Sequence, residues 1–305
     1  MSRIVFLGSP DEALPALRAA HRSFDVALVV TRPDRPRGRS RTVSPGPVRR
    51  AAKDLGLPVA QPADAGQLLR CLTDVGPFDA ALVVAFGMIL RPEVLHLAPF
   101  LNLHFSILPR WRGAAPVAHA LLAGDRRTGV SLMQIDEGLD TGPVAAVASV
   151  AVAPDDDAGT LGARLARHGG RLVTEIVPAV LRGEAVFVRQ SERGVTFAPK
   201  IRTEDARLDV HRPAEELVRH VRAFAPKPGA FLHVGGRRLK VLRASVGTGQ
   251  ATPGSFALDR EAVPVVGTGE ELLRLELVQP EGRRPMPGAA WARGLRTLPS
   301  RIDLP

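Results

Sequence analysis

Three polar residues define the chemistry open to this chain: two neighbours on one strand and a third on a loop further along. Asn102 and His104 stand two apart at the end of a short apolar run, LNLH. In a strand, residues i and i+2 point to the same side of the sheet, so the amide and the imidazole are expected to project together. The turn SILPRWRG follows, where Pro109 and Gly113 end the strand and expose backbone amides. Further on, VSLMQIDEGLDTG places a second apolar strand before an acidic, glycine-rich loop carrying Asp136, Glu137 and Asp140. An amide, a histidine and a carboxylate brought to one cleft are the parts of an acyl-transfer site that needs no side-chain nucleophile. Each also has a plainer reading alone: an Asn satisfying a sheet edge, a half-buried structural His, an Asp closing a turn. Asp136 and Glu137 suit a ligand loop or a structural role better than a catalytic one.

The apolar runs supply the elements that must hold such a cleft. RIVFLG, then helical spacing in DEALPALRAAH, then FDVALVV reads as strand, helix, strand. Strands apolar on both faces indicate a parallel sheet covered on both sides. FDAALVVAF is a central strand, and GVSLMQID and GPVAAVASVAV are two more, the second long and placed toward an edge. In open α/β sheets ligands sit beyond the carboxyl ends of the strands. That rule gathers Phe86, Met88, Ile89 and Leu90, the stretch from Asn102 to Pro109, and the loop from Asp136 to Gly142 around one crevice. The turn Gly8-Ser9-Pro10-Asp11 lacks the second glycine of a dinucleotide fingerprint. Asp155, Asp156 and Asp157 read as a solvated turn and helix start, so no metal site is expected.

With 305 residues the chain exceeds one ordinary domain of roughly 100–200 residues. We expect a catalytic domain over 1–188, a linker over 189–206 and a second domain over 207–305. The second combines a helix, AEELVRHVRAF, with short runs such as GAFLHV, RRLKVLRASV and LLRLELVQP, the signature of a small β-barrel. A single cysteine, Cys71, excludes an internal disulfide and a cysteine-cluster metal site. The first residues lack a signal-peptide layout, and the run AALVVAFGMIL is far short of the roughly 20 residues of a membrane span. A cytoplasmic protein with no membrane partner is expected, and a monomer.

The net charge of +10 is uneven. Residues 32–53 hold Arg32, Arg35, Arg37, Arg39, Arg41, Arg49, Arg50 and Lys53 against Asp34, and residues 212–243 form a second basic cluster. Two such clusters suit a polyanion that touches both, although solvated surface arginines would look the same. The stretch TRPDRPRGRSRTVSPGP cannot be regular structure, because its prolines remove donors and its glycines loosen the rest. Long loops of this kind inside compact domains are commonly functional or disordered.

The run NLHFSILPRWRGAAP followed by GVSLMQIDEGLDTG resembles the folate-dependent formyltransferase family. The Asn-x-His, SxLP and Asp core is shared across that family, and the RWRGAAP extension resembles its tRNA-acting branch. RIVFLGSPDEALPAL, VVTRPDRPRGRS, FAPKIRTEDARLD, KPGAF and LVQPEGRRPM extend the likeness over nearly the whole chain in order. The resemblance implies a doubly wound, mostly parallel, Rossmann-like sheet followed by an oligonucleotide-binding-like barrel. It implies an enzyme that moves the formyl group of 10-formyltetrahydrofolate to the α-amine of methionine on initiator methionyl-tRNA, for translation initiation. Asn102 and His104 would then stabilise the oxyanion and the leaving nitrogen. Asp140 would hold His104 charged, or take the amine proton directly or through water. Ser106, Ile107, Leu108 and Pro109 carry over as folate contacts by motif match. Phe86, Met88, Ile89 and Leu90 are placed to line the pterin slot, where without the family they would read as core or rim residues. Arg39 matches the recognition arginine of the tRNA loop, with Arg35, Arg37 and Arg41 beside it.

Two other readings keep some of these features. A formyltransferase or hydrolase acting on a small amine would keep Asn102, His104 and Asp140 but need neither arginine loop nor basic barrel. A non-catalytic RNA-binding protein on the same fold would have no use for an intact Asn, His and Asp. The chain departs from the family pattern at Phe86, where Tyr is usual, at Lys227, where Trp is common, and at Ser40, Thr42 and Val43 in the loop. These differences leave the chemistry alone and bear on the strength of tRNA contact.

Overall fold

The structure is a computed structural model that describes residues 1–37 and 42–303. Its elements follow the apolar runs: β1 (Arg3–Gly8), α1 (Leu14–Ser23), β2 (Asp25–Val30), β3 (Arg35–Arg37), β4 (Thr42–Ser44), α2 (Pro47–Asp54), β5 (Val59–Ala60), α3 (Ala65–Asp74), β6 (Ala80–Val84) and α4 (Pro92–Leu95). Then come β7 (Phe100–His104), α5 (Pro116–Leu122), β8 (Arg127–Gln134), β9 (Val144–Ala151), α6 (Ala158–Glu175) and α7 (Val177–Leu181). The last third holds α8 (Ala214–Phe224), β10 (Ala230–Val234), β11 (Arg237–Gly247), β12 (Phe256–Leu258), β13 (Pro264–Gly267), β14 (Leu272–Pro280), β15 (Met286–Pro287) and α9 (Gly288–Arg293).

The chain divides into two compact units. One comprises Met1–Pro116, Arg127–Ala151 and Gly162–Pro199; the other comprises Val117–Arg126, Val152–Leu161 and the residues from Lys200 onward. The first unit is built on a seven-stranded sheet in the order β5-β2-β1-β6-β7-β8-β9. Its pairs are parallel from β5 through β7 and antiparallel from β7 to β9, so the mostly parallel sheet expected from the sequence is present. The run AALVV of β6 is buried at every position, as a central parallel strand covered on both faces must be. Beneath one face Val5, Leu7, Val30, Val83 and Phe100 pack with Leu68 and Leu72 of α3. Asp64 caps α3 by accepting from Gln67 N at 2.8 Å, which satisfies an amide the first turn leaves open. The strand order reverses between β1 and β6, the place where doubly wound sheets open a crevice at their carboxyl ends.

The second unit holds an antiparallel half-barrel sheet in the order β10-β11-β14-β13-β12, with β15 added against β14. Val234 pairs with Arg237, leaving a two-residue turn of Gly235 and Gly236 at φ +58° and +73°. Only glycine occupies two left-handed positions cheaply, and that turn matches the twist of the hairpin it closes. Along β11 the pairing with β14 shifts register on either side of Arg243, which bends the strand.

Candidate active site

β7 carries Asn102 and His104 to the carboxyl edge of the sheet on a single face. Phe100, two residues before, lies in the apolar cluster under α3, whereas Leu103 points to the opposite side, against Gly169 of α6. Asn102 is paired with Val83 of β6 and Met133 of β8, and His104 with Ser131 of β8. Among the described residues the Asn102 amide has no hydrogen-bonded side-chain partner, so it is available to a ligand.

The turn after β7 is fastened from within. Ser131 Oγ donates to Ser106 O at 2.8 Å and accepts from Leu108 N at 3.2 Å, while Ser106 Oγ donates to Arg110 O at 2.6 Å. Both serines are fully buried. The hydroxyl of Ser106, expected at the folate, is thus engaged in shaping the turn, and Leu108 is also buried, with Ile107 and Pro109 half-buried.

That turn delivers two backbone groups to the polar cluster. His104 Nε2 lies 2.8 Å from Trp111 O. A carbonyl can only accept, so Nε2 carries a proton and Nδ1 is the nitrogen left facing the polar cluster. Nδ1 faces Asp140 Oδ2 at 3.6 Å, with His104 only 6% and Asp140 18% exposed. Asp140 Oδ2 also accepts from Gly113 N at 2.8 Å. The Nδ1–Oδ2 gap is longer than a hydrogen bond and short enough for a charge on one group to be felt by the other. Trp111 and Asp140 hold φ of +63° and +52°. Such backbone positions are uncommon without glycine, and strain of this kind concentrates at functional sites.

Two residues of this cluster, Gln190 and Thr196, gave no signal in the sequence, and a third, Arg112, gave one only as part of a motif. Gln190 Nε2 donates to Asp140 O at 2.7 Å and to Gly142 O at 2.8 Å, and its Oε1 accepts from Arg112 Nε and Nη2 at 3.0 and 2.7 Å. Thr196 Oγ1 accepts from Trp111 N at 2.8 Å. Gln190 and Thr196 sit in a mixed polar stretch without periodicity, and Arg112 was visible only inside a longer motif. Gly142 passes so near Gln134 that any Cβ there would collide with its carbonyl oxygen.

Asp136 accepts from Gly138 N and from Thr141 Oγ1 at 3.2 and 2.6 Å, and Glu137 is exposed, so Asp136 shapes the loop and neither faces His104. Of the apolar residues after β6, Phe86 is 3% exposed within the core and Met88 and Leu90 pack against that core, while Ile89 stands 84% exposed.

Arg39 and Arg41 lie outside the described residues; Arg35 and Arg37 belong to β3, which pairs antiparallel with β4, so the stretch expected to hold no regular structure contains a short two-stranded ladder, in which Pro36 removes only one backbone donor. The base of this segment is tied by Asp34, whose carboxylate accepts from Gly46 N, Gln61 Nε2 and Arg49 Nη1. Burial works against the charged Asp34, but those hydrogen bonds and the Arg49 charge hold its pKa below the ordinary value. In the second basic cluster Arg212 and Arg219 pair with Glu216 and Glu215, Arg243 with Glu276, and Arg238 stacks over Phe231 at 3.6 Å. Much of that charge is therefore matched locally. Among the described residues no group of three or more His, Cys, Asp or Glu is placed to hold a metal ion, and no helix is long and apolar enough to cross a membrane.

Residues 2–177 match the formyl transferase family and residues 200–296 the formyl transferase C-terminal domain. The chain is 44% identical over 301 residues to the methionyl-tRNA formyltransferase of Thermus thermophilus, covering 97% of both chains. It is 43% identical to that of Myxococcus xanthus, covering 97% of this chain and 96% of the other. The solved structure of WlaRD, a sugar 3N-formyl transferase, superposes with a TM-score of 0.70 over 93% of this chain and 99% of that one, at 15% identity.

Proposed function

This chain belongs to the formyltransferase family, and we infer that it transfers the formyl group of 10-formyltetrahydrofolate to the α-amine of methionine on initiator methionyl-tRNA. The product, N-formylmethionyl-tRNA, serves translation initiation. The observation that carries the chemistry is the approach of Asp140 to His104 Nδ1 at 3.6 Å from separate strands' ends. The tRNA is favoured over a small amine because the identity to tRNA-acting relatives spans both domains, whereas the likeness to the sugar enzyme is one of fold.

The site residues fit a folate donor. The unpaired Asn102 amide lies one strand from the exposed Ile89 and the half-buried Met88 and Leu90, a polar donor beside an apolar rim suited to a planar ring. When bound, 10-formyltetrahydrofolate supplies an activated carbonyl carbon. The methionine amine is itself the nucleophile once neutral, so no Ser or Cys is required. Asn102 donates its amide N–H to the oxygen on which negative charge develops. His104 Nδ1, with its opposite nitrogen fixed on Trp111 O, takes the proton the amine gives up, and Asp140 stabilises the resulting imidazolium. The same proton returns from Nδ1 to the departing nitrogen. No metal is needed for any of these tasks. Arg35, Arg37, Arg39 and Arg41 contact the acceptor end of the tRNA. Residues 1–188 form the catalytic domain, 189–206 the linker and 207–305 the tRNA-binding domain, and the protein works as a cytoplasmic monomer.

The test is formylation of charged initiator tRNA, charged elongator tRNA and small amines with 10-formyltetrahydrofolate as donor. Strong preference for the initiator is expected. Equal use of small amines would replace this reading with the small-amine one, and no transfer to any acceptor would leave an RNA-binding protein.

A further inference from the structure

We propose that Gln190 is a positioning residue for formyl transfer, setting Asp140 against His104 from a strap formed by residues 188–198. The strap begins at Val188, which pairs with Val144 at the start of β9 through backbone bonds of 2.8 and 2.9 Å. It ends against the turn after β7. There Arg112 N donates to Thr196 O at 2.9 Å, Ala198 N to Arg112 O at 2.7 Å, and Ala115 N to Ala198 O at 3.1 Å. Gly113, at φ +120°, lies so close that a Cβ would meet Ala198 O at 2.7 Å. One extended segment thus touches both loops that hold His104: the turn whose Trp111 carbonyl takes Nε2–H, and the loop whose Asp140 carboxylate faces Nδ1.

Gln190 is where the strap meets the second of these loops. Both amide hydrogens are used on Asp140 O and Gly142 O, and Oε1 is used on Arg112. Its hydrogen-bonding capacity is turned to protein, so it acts through Asp140 rather than on substrate. Asp140 needs such a restraint. Its backbone lies in the left-handed region at φ +52°, a conformation an aspartate leaves readily unless its surroundings hold it. Fixing its carbonyl from one side while Gly113 N holds its carboxylate from the other leaves the side chain one direction, toward His104. Arg112 completes the link, since the residue that holds Gln190 Oε1 is the neighbour of both Trp111 and Gly113.

This inference rests on the formyl-transfer reading for its kinetic arm and not for its spectroscopic arm. Glu at position 190 keeps the acceptor for Arg112 but loses both donors and sets carboxylate oxygens against two carbonyls. For Gln190→Glu we expect kcat with charged initiator tRNA to fall by about 10- to 100-fold, while KM for 10-formyltetrahydrofolate stays within about twofold. In the full-length protein without substrates, the ¹⁵N resonance of His104 Nδ1 should move, because the facing carboxylate is displaced. Thr196→Val removes the acceptor for Trp111 N, and it should instead move the Nε2 resonance. If Gln190→Glu leaves both kcat and the Nδ1 resonance as in wild type, the proposal is overturned. Loss of kcat and folate KM together, with His104 resonances unmoved, would overturn it equally. Should wild type transfer no formyl group, the functional reading fails, and the two resonance shifts still decide the role of Gln190.

Discussion

The carbonyl oxygen of Trp111 receives the Nε2 proton of His104 at 2.8 Å, and this one bond decides which side of the ring can do chemistry. With Nε2 engaged, His104 presents Nδ1, and what Nδ1 faces is the carboxylate of Asp140. A protonated ring keeps its Nε2–H on Trp111 O and presents Nδ1–H, so the donor role expected from the sequence and proton uptake by a neutral ring both work through Nδ1 without moving that bond.

Asn102 has a separate task. Its amide has no side-chain competitor among the described residues and sits two positions before His104 on the same face. Replacing it with Ala should lower kcat by about 10²–10³, the usual loss for one oxyanion donor, with little change in tRNA KM. Steady-state kinetics with both substrates varied measures this.

Ser131 has a structural rather than chemical importance. Its buried hydroxyl joins Ser106 O and Leu108 N, so Ser131→Ala leaves two backbone groups without a partner. A stability loss of about 1–3 kcal/mol is expected, read as a lowered denaturant midpoint. Folate KM should rise with it, because the same turn carries the proposed folate contacts.

His220 gives the second unit an acid-sensitive core. Burial, aided by the Arg212 charge and opposed by Asp205, pushes its pKa down from 6.5 to about 4, and its ring stacks on Phe224 at 4.4 Å. The unfolded chain then binds a proton near pH 6.5 where the folded one does so only near pH 4. Between those values acid favours unfolding, so stability is whole above pH 6.5, falls through that window, and is flat below it as far as this group goes. The loss is on the order of 3 kcal/mol. Denaturant titrations of His220→Leu should lack that slope.

The basic segments predict a salt signature. KM for tRNA should climb steeply between about 50 and 200 mM salt while KM for folate stays level. Arg39→Ala should reduce tRNA-dependent kcat/KM more than folate affinity. Equal losses in both would remove the recognition role from the loop.

The sequence disclosed the parts of this site that are periodic or local. The face shared by Asn102 and His104 follows from strand alternation, and the long edge strand β9 follows from its apolar run. Asp140 could be named from its loop and the family motif. Gln190 could not, because its meaning lies in two backbone carbonyls far earlier in the chain, and a lone amide in a polar stretch has no pattern. The same holds for the burial of Phe86, which local hydrophobicity assigns equally to core and to slot. In the second basic cluster Glu215 and Glu216 stand one helical turn from the arginines they pair with, whereas the Arg243–Glu276 pair appears only once β11 and β14 are side by side.

The central claim is that His104 and Asp140 handle the amine proton as a pair, and single-turnover formylation of charged initiator tRNA tests it most directly. His104→Ala and Asp140→Asn should each slow the chemical step by about 10²–10⁴, and the double variant should be little slower than either alone. Near wild-type single-turnover rates in His104→Ala, or losses that simply multiply in the double variant, would contradict it.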